Sequence, residues 1–327
     1  MKLSVIYITS LILGGAGAWL ISRWGHNLGL LDEANQRSSH KGAIPKGGGI
    51  GILSVFIFAS LVLNLPFLIW GCISIASVSS FYGDKKDISP KIRLLIQLLS
   101  GVGMLIGLFY LEDRSSIVYM SIPFFALFVV GTANYYNFMD GINGIAGITG
   151  IVAFSLIILF AALTKSDIVF LPIAVCMIVS CIGFLPFNLP KASVFMGDVG
   201  SILLGFVYAL FVVGLSYEPS DFIVLCSFLF PFYADELATL FVRLRNGDSL
   251  MKPHRKHVYQ LLANEMHIPH WKISTSYGVL QLLVGLSVLA VKPMGFLFLL
   301  TILLVYFVGF LLFSIIIRNK AKALCHS

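Results

Sequence analysis

The chain has 327 residues, 58% of them hydrophobic and only 11% charged, with a mean hydropathy of +0.95. No water-soluble domain could cover that much apolar side chain with polar surface, so the composition excludes a soluble globular protein and requires a bilayer. The net charge of +7 would suit nucleic acid in a soluble protein, but in a membrane protein basic residues collect in cytoplasmic loops, and nucleic acid is not expected as a partner.

Taking about 20 apolar residues per span, the sequence predicts an all-α polytopic bundle of eleven transmembrane helices. They lie at about 3–23, 48–64, 66–82, 92–111, 117–136, 143–163, 168–185, 200–216, 222–242, 272–291 and 293–317. No soluble domain fits between them, so residues 1–327 read as one integral-membrane domain. Ala16-Gly17-Ala18 mimics a signal-peptide cleavage site, but the apolar run continues through Trp19, Leu20 and Ile21 to Arg23 and reads as the first helix. Pro66 and Pro293 stand at tight links, where they start helices instead of interrupting them. Cys72, Cys176, Cys181 and Cys226 lie in apolar runs and, with Cys325, form no C-x-x-C pair, which points to packing and not to zinc or disulfides.

Lysine and arginine set the orientation. With the N-terminus outside and the C-terminus cytoplasmic, 18 basic residues fall inside, against four outside: Lys2, Arg114, Lys165 and Lys292. The unusual sequence falls on the same side, in links at about 24–47, 83–91, 134–144, 186–201 and 243–271.

Along the chain, Arg37-Ser38-Ser39-His40 precedes Pro45-Lys46-Gly47-Gly48-Gly49. The three glycines read either as close backbone contact with a phosphate or lipid, with Lys46 supplying charge at headgroup level, or as a flexible connector. Asp84 and Asp87 flank Lys85 and Lys86, as a site or a self-neutralising surface cluster. In Asn134-Tyr135-Tyr136-Asn137-Phe138-Met139-Asp140-Gly141-Ile142-Asn143-Gly144, a helical end would put Asn137, Asp140 and Asn143 on one face, an acid flanked by amides suited to a nucleotide or metal-bound phosphate. An Asx-rich turn is the alternative. Phe195-Met196-Gly197-Asp198-Val199-Gly200-Ser201 sets an acid between glycines at a helix start, suited to Mg²⁺ and a pyrophosphate, or to a simple N-cap. Asp235 and Glu236 are acids within a span, which favours a polar cavity, with Asp235 the better candidate. In Pro253-His254-Arg255-Lys256-His257, four basic or imidazole side chains suit a diphosphate, with histidine able to donate near neutral pH, although any cytoplasmic loop is basic. The last helix, after Pro293, offers no side chain for a site.

From about residue 30 to 260 these stretches resemble the polyprenyl-phosphate N-acetylhexosamine-1-phosphate transferases, the family of the bacterial phospho-MurNAc-pentapeptide translocase and the O-antigen-initiating enzymes. Asn137 to Gly144, and Phe187-Asn188 with Val194 to Ser201, carry the resemblance. Arg37 to His40 with Pro45 to Gly49, and His254 to Gln260, point to the O-antigen branch. The resemblance implies Mg²⁺ at Asp198, with Mn²⁺ as a substitute, and catalytic acids at Asp84, Asp140 and Asp198. It implies substrate contacts at Asn188, His254, Arg255 and His257, which join Lys46, Asn137 and Asn143, read above from the residues, as candidate substrate-binding positions. It implies transfer of a sugar-1-phosphate from a UDP-N-acetylsugar to undecaprenyl phosphate, with release of UMP, at the cytoplasmic face of a bacterial inner membrane. A homodimer is compatible with it. One departure stands out: where the family has paired aspartates, this chain has Gly83-Asp84. Either Asp84 or Asp87 then acts on the lipid phosphate, or the chain is a weak or inactive partner in glycan assembly. A lipid-linked sugar transporter ranks third, because polar groups at depth are scarce.

Overall fold

A computed structural model describes residues 3–33, 39, 42–85, 88–166, 169–248 and 254–326, with backbone alone at 84–85 and 325–326. The chain is a polytopic helical bundle. In order, it forms α1 (Leu3–Trp24), a ribbon of β1 (Leu31–Glu33) and β2 (Ala43–Pro45), α2 (Ile50–Val62), α3 (Phe67–Lys85), α4 (Pro90–Leu111) and α5 (Ile122–Phe138). There follow α6 (Ile145–Thr164), α7 (Leu171–Asn188), α8 (Gly197–Leu215), α9 (Pro219–Ser227), α10 (Phe230–Arg245), α11 (Val258–Asn264), α12 (His270–Val291) and α13 (Phe296–His326).

Each predicted apolar run coincides with a helix, or for 222–242 with the pair α9 and α10. Among the described residues, eight helices are long and apolar enough to cross a bilayer, or nine if α9 and α10, which meet at 83°, are one broken span. Two of the remaining runs fall in shorter apolar helices: α2, whose 13 residues extend about 20 Å beside a hydrocarbon core about 30 Å thick, and the stretch Phe67–Gly83 of α3. The bend between α9 and α10 falls where Pro231 enters the first turn of α10 and cannot donate a helical hydrogen bond backwards. The antiparallel ribbon, with Leu31 opposite Pro45, is an exception to the all-α expectation. Among the described residues Cys176 and Cys181 are buried and Cys72 and Cys226 half-buried, all as free thiols.

At the centre stands α8, buried at every residue from Val199 to Leu215. A helix apolar on all sides has no solvent or lipid face, so its neighbours must enclose it; α2 to α6 and α9 all pack on it. Its first turn therefore opens into the middle of one end of the bundle. Five loops converge there. At another link, Arg114 pairs with Glu112 at 2.7 Å and donates to the Gly214 carbonyl at 3.1 Å, while Lys292 pairs with Asp221 at 2.8 Å.

Candidate active site

The site is built around the start of α8. Met196 occupies the cap position without a side-chain capping bond, and Asp198 follows inside the first turn. Asp198 is therefore not the N-cap that a helix-start acid might have been. Its carboxyl group instead forms an ion pair with Arg93, which the first turn of α4 carries in from 105 residues away. Arg93 crosses over Gly83: a Cβ there would stand 3.3 Å from Arg93 Cδ and 3.4 Å from Nε. The missing side chain of Gly83 thus leaves the space beside this guanidinium. Ser77 in α3 donates to the Val199 carbonyl at 2.6 Å, fixing α3 against the same turn. Asp84 lies in the last turn of α3, but its side chain is outside the described residues, as is all of Asp87.

The three-glycine segment packs against protein backbone. Gly47 and Gly48 donate their N–H groups to the Phe195 carbonyl at 3.1 and 2.9 Å, and Gly49 donates to Met196 at 2.9 Å. A Cβ on Gly49 would lie 2.4 Å from Gly200 Cα, so two backbones touch where no side chain fits. The segment is therefore not a flexible connector, and these three N–H groups are engaged by the carbonyls of Phe195 and Met196. Lys46 is half-buried and bridges to Phe195, which places it beside the Asp198 turn. Ser39 alone of Arg37-Ser38-Ser39-His40 is described; the other three lie outside the described residues.

The amide-rich stretch does not stay helical. Helix α5 ends at Phe138, and Gly144 turns the chain with φ +83°, so Asn137, Asp140 and Asn143 do not share a helix face; the Asx-rich turn is the form observed. Asn137 Oδ1 accepts from the Ser201 hydroxyl at 2.7 Å, joining this turn to α8. Asn188 is buried; its Oδ1 accepts from Gly144 N–H at 2.5 Å and its Nδ2 donates to the Val194 carbonyl at 2.9 Å. Those bonds make it a scaffold between two loops, and any nucleotide pocket there is shaped by Asn188 from behind. Asn143 donates from Nδ2 to the Pro190 carbonyl at 3.2 Å, and its backbone N–H reaches His270 Nδ1 at 3.3 Å. Asp140 stays half-exposed at the turn.

The basic loop reaches the same place through α11. Tyr259 donates to the Phe138 carbonyl at 3.0 Å and fills the space a side chain on Gly141 would need. Asp235, fully buried in α10, holds the loop: it accepts from Val258 N–H at 2.8 Å, Tyr259 N–H at 3.3 Å and the Tyr277 hydroxyl at 2.8 Å. The acid within a span therefore caps a short helix, and no polar cavity is needed to explain it. From α13, Arg318 donates to the Lys256 carbonyl at 2.8 Å and to Thr239 Oγ1 at 2.9 Å. The final helix thus supplies a side chain the sequence did not suggest.

Charge in the loop is carried by arginine and lysine. Burial, with His257, Arg243 and Lys256 nearby, lowers His254 to about 4. Burial, with Arg318 and Arg243, lowers His257 to about 3. Both rings are neutral at pH 7 and can donate only one N–H each. Arg255 pairs with Glu265 at 2.7 Å and Lys256 with Asp248 at 2.5 Å; Pro253 lies outside the described residues.

Residues 66–216 match glycosyl transferase family 4. A protein of Salmonella typhi named undecaprenyl-phosphate alpha-N-acetylglucosaminyl 1-phosphate transferase is 31% identical over 260 residues, covering 72% of this chain and 69% of the relative. The chain belongs to this family, the polyprenyl-phosphate N-acetylhexosamine-1-phosphate transferases. Family members with the same name from Escherichia coli K12 and Yersinia pestis are each 29% identical, covering 80% of this chain and 75% and 76% of theirs. Within the family motifs, the structure brings Lys46, Asn137, Asp198 and, through Tyr259 and Asn188, the turn holding Asp140 and Asn143 to one end of the bundle. Among the described residues no group of three His, Cys, Asp or Glu side chains could enclose a metal alone. The acids present offer hard oxygen donors, which suits an ion completed by substrate phosphates, as Mg²⁺ commonly is.

Proposed function

We propose that this protein transfers an N-acetylated sugar-1-phosphate from a UDP-sugar to undecaprenyl phosphate and releases UMP, initiating a surface glycan such as O-antigen. The observation that carries the reading is the meeting of the Asp198 turn, the Asp140 turn and the basic loop at the mouth of α8. Exchange of one phosphoanhydride for another needs little covalent help from protein; it needs two anions held together and charge stabilised on the transferring and leaving oxygens. Arg93 and Arg255, both part-exposed, are cations suited to that work, and Lys46 stands by Phe195. Mg²⁺, if bound at Asp198, would shield the diphosphate charge. An oxygen of the lipid phosphate attacks the sugar-bearing phosphorus, and UMP leaves. A lipid phosphate is already nucleophilic at neutral pH, which favours direct attack over a phospho-enzyme.

The convergence of the basic links favours a cytoplasmic site in a bacterial inner membrane with the N-terminus outside, because Arg114 and Lys292, assigned to the other face, are neutralised by Glu112 and Asp221. The reading is tested with UDP-GlcNAc labelled in the sugar and at the β-phosphorus. Both labels should move together into the lipid extract, and excess UMP should return both to the nucleotide. Sugar without phosphorus in the lipid would overturn it.

A further inference from the structure

Beyond the loops of the reaction centre, α10, α11 and α13 enclose a cleft of about 950 Å³. Helices α10 and α13 run side by side in the same direction. Phe230 meets Phe310 with ring centroids 6.4 Å apart, and Thr239, nine residues on, is bonded by Arg318, eight residues on. Along both walls the lining changes in step. On α10, Leu237 and Phe241 give way to Arg245; on α13, Phe307 and Leu311 give way to Arg318 and Lys322. Lys256 closes the same polar end. From Leu311 to Lys322 the helix rises about 16 Å, about half of a hydrocarbon core of roughly 30 Å.

The charge is one-sided. Among the described residues four basic side chains line the cleft against the single acid Glu265, which pairs with Arg255; Lys256 is itself paired with Asp248 outside the lining, and α13 contains no acidic residue. Arg245 and Lys322 are exposed and form no ion pair among the described residues. An apolar trough ending in basic groups at one depth is complementary to a lipid with an anionic headgroup.

That lipid is not the acceptor of the transfer reaction, because α11 stands between. Tyr259 faces the Asp140 turn through its bond to Phe138, while Leu261, which lines the cleft, lies about 200° around the helix from it. His257, buried between α10 and Tyr259, closes the same wall. A phosphate at Arg245 and Lys322 is thus behind the loop that carries His254 and Arg255. The geometry points to a structural site for an anionic phospholipid, with its headgroup on Arg245, Lys322 and Lys256 and an acyl chain against Phe241, Phe307 and Leu311. Arg318, bonded to the Lys256 carbonyl, joins this site to the basic loop.

The test uses the full chain in a neutral detergent with phosphatidylglycerol carrying a photoactivatable acyl chain, followed by peptide mapping. Label is expected on α10 and α13 at 237–245 and 307–322. Unlabelled phosphatidylglycerol should compete at least about tenfold better than phosphatidylcholine, and an Arg245→Gln/Lys322→Gln variant should bring the two within about threefold, since each headgroup-level cation favours an anionic lipid by about fivefold. Both positions are exposed, and an unchanged melting temperature will show that the variant is folded. Equal competition by the two phospholipids in wild type would mean unselective annular lipid and overturn the proposal. So would competition by undecaprenyl phosphate well above that by phosphatidylglycerol, which would make the cleft the acceptor site, and so would label spread over the other helices.

Discussion

Replacing Asp235 with alanine separates a holding role from a chemical one. The carboxyl group accepts from two N–H groups in the first turn of α11 and from the Tyr277 hydroxyl, and it is fully buried. Loss of a helix cap costs about 0.5–2 kcal/mol, and a buried hydroxyl left without a partner costs about 1–3 kcal/mol. Asp235→Ala should therefore destabilise by about 1.5–5 kcal/mol, a fall in Tm on the order of 2–7 °C. Asp235→Asn keeps one acceptor oxygen and should fall between. Limited trypsin digestion reads the loop directly: cleavage after Arg255 and Lys256 should quicken in the order wild type, Asn, Ala, with UMP release declining in the same order. If the alanine variant keeps wild-type Tm and loop protection yet loses all UMP release, Asp235 acts on substrate and the capping account is wrong.

Gly49→Ala would push a methyl group to 2.4 Å from Gly200 Cα, and the overpacking should cost about 1–3 kcal/mol and lower transfer by moving the Asp198 turn; an unchanged Tm would refute the close packing. The pH dependence follows from His257, held at about 3 when folded against an ordinary 6.5. The unfolded chain binds the proton first, so this group's contribution is steady above pH 6.5 and is lost as pH falls below it, about 2 kcal/mol by pH 5. His257→Gln should flatten the fall in Tm between pH 7 and 5, and a fall of unchanged slope would show that other groups set it.

The positions of the helices were legible because apolar runs long enough to cross a bilayer have few alternatives. The length of each helix was less so: α2 is as apolar as its neighbours but only 13 residues long, and no composition shows the 83° bend before α10. The ribbon of β1 and β2, three residues a strand, carries too little periodicity to be seen. At the site, the motifs around Asp140, Asp198 and His254 announced themselves by residue type, but their partners did not. Arg93 reaches Asp198 across 105 residues and read only as one more cytoplasmic charge. Asp235 looked like a cavity acid because the N–H groups it caps lie in another segment, 23 and 24 residues on. The glycines at 47–49 carried a signal of close approach, without saying that the partner was the backbone at 195–200.

Whether this protein is the transferase is decided by UMP release from UDP-N-acetylsugars, using purified protein with undecaprenyl phosphate and Mg²⁺, wild type beside Asp198→Asn. UMP release should require both the lipid and the metal and fall at least about 100-fold in the variant, the scale expected when a group stabilising transferring charge is lost. Folded wild-type protein that releases no UMP from any donor, or an Asp198→Asn variant as active as wild type, would contradict it.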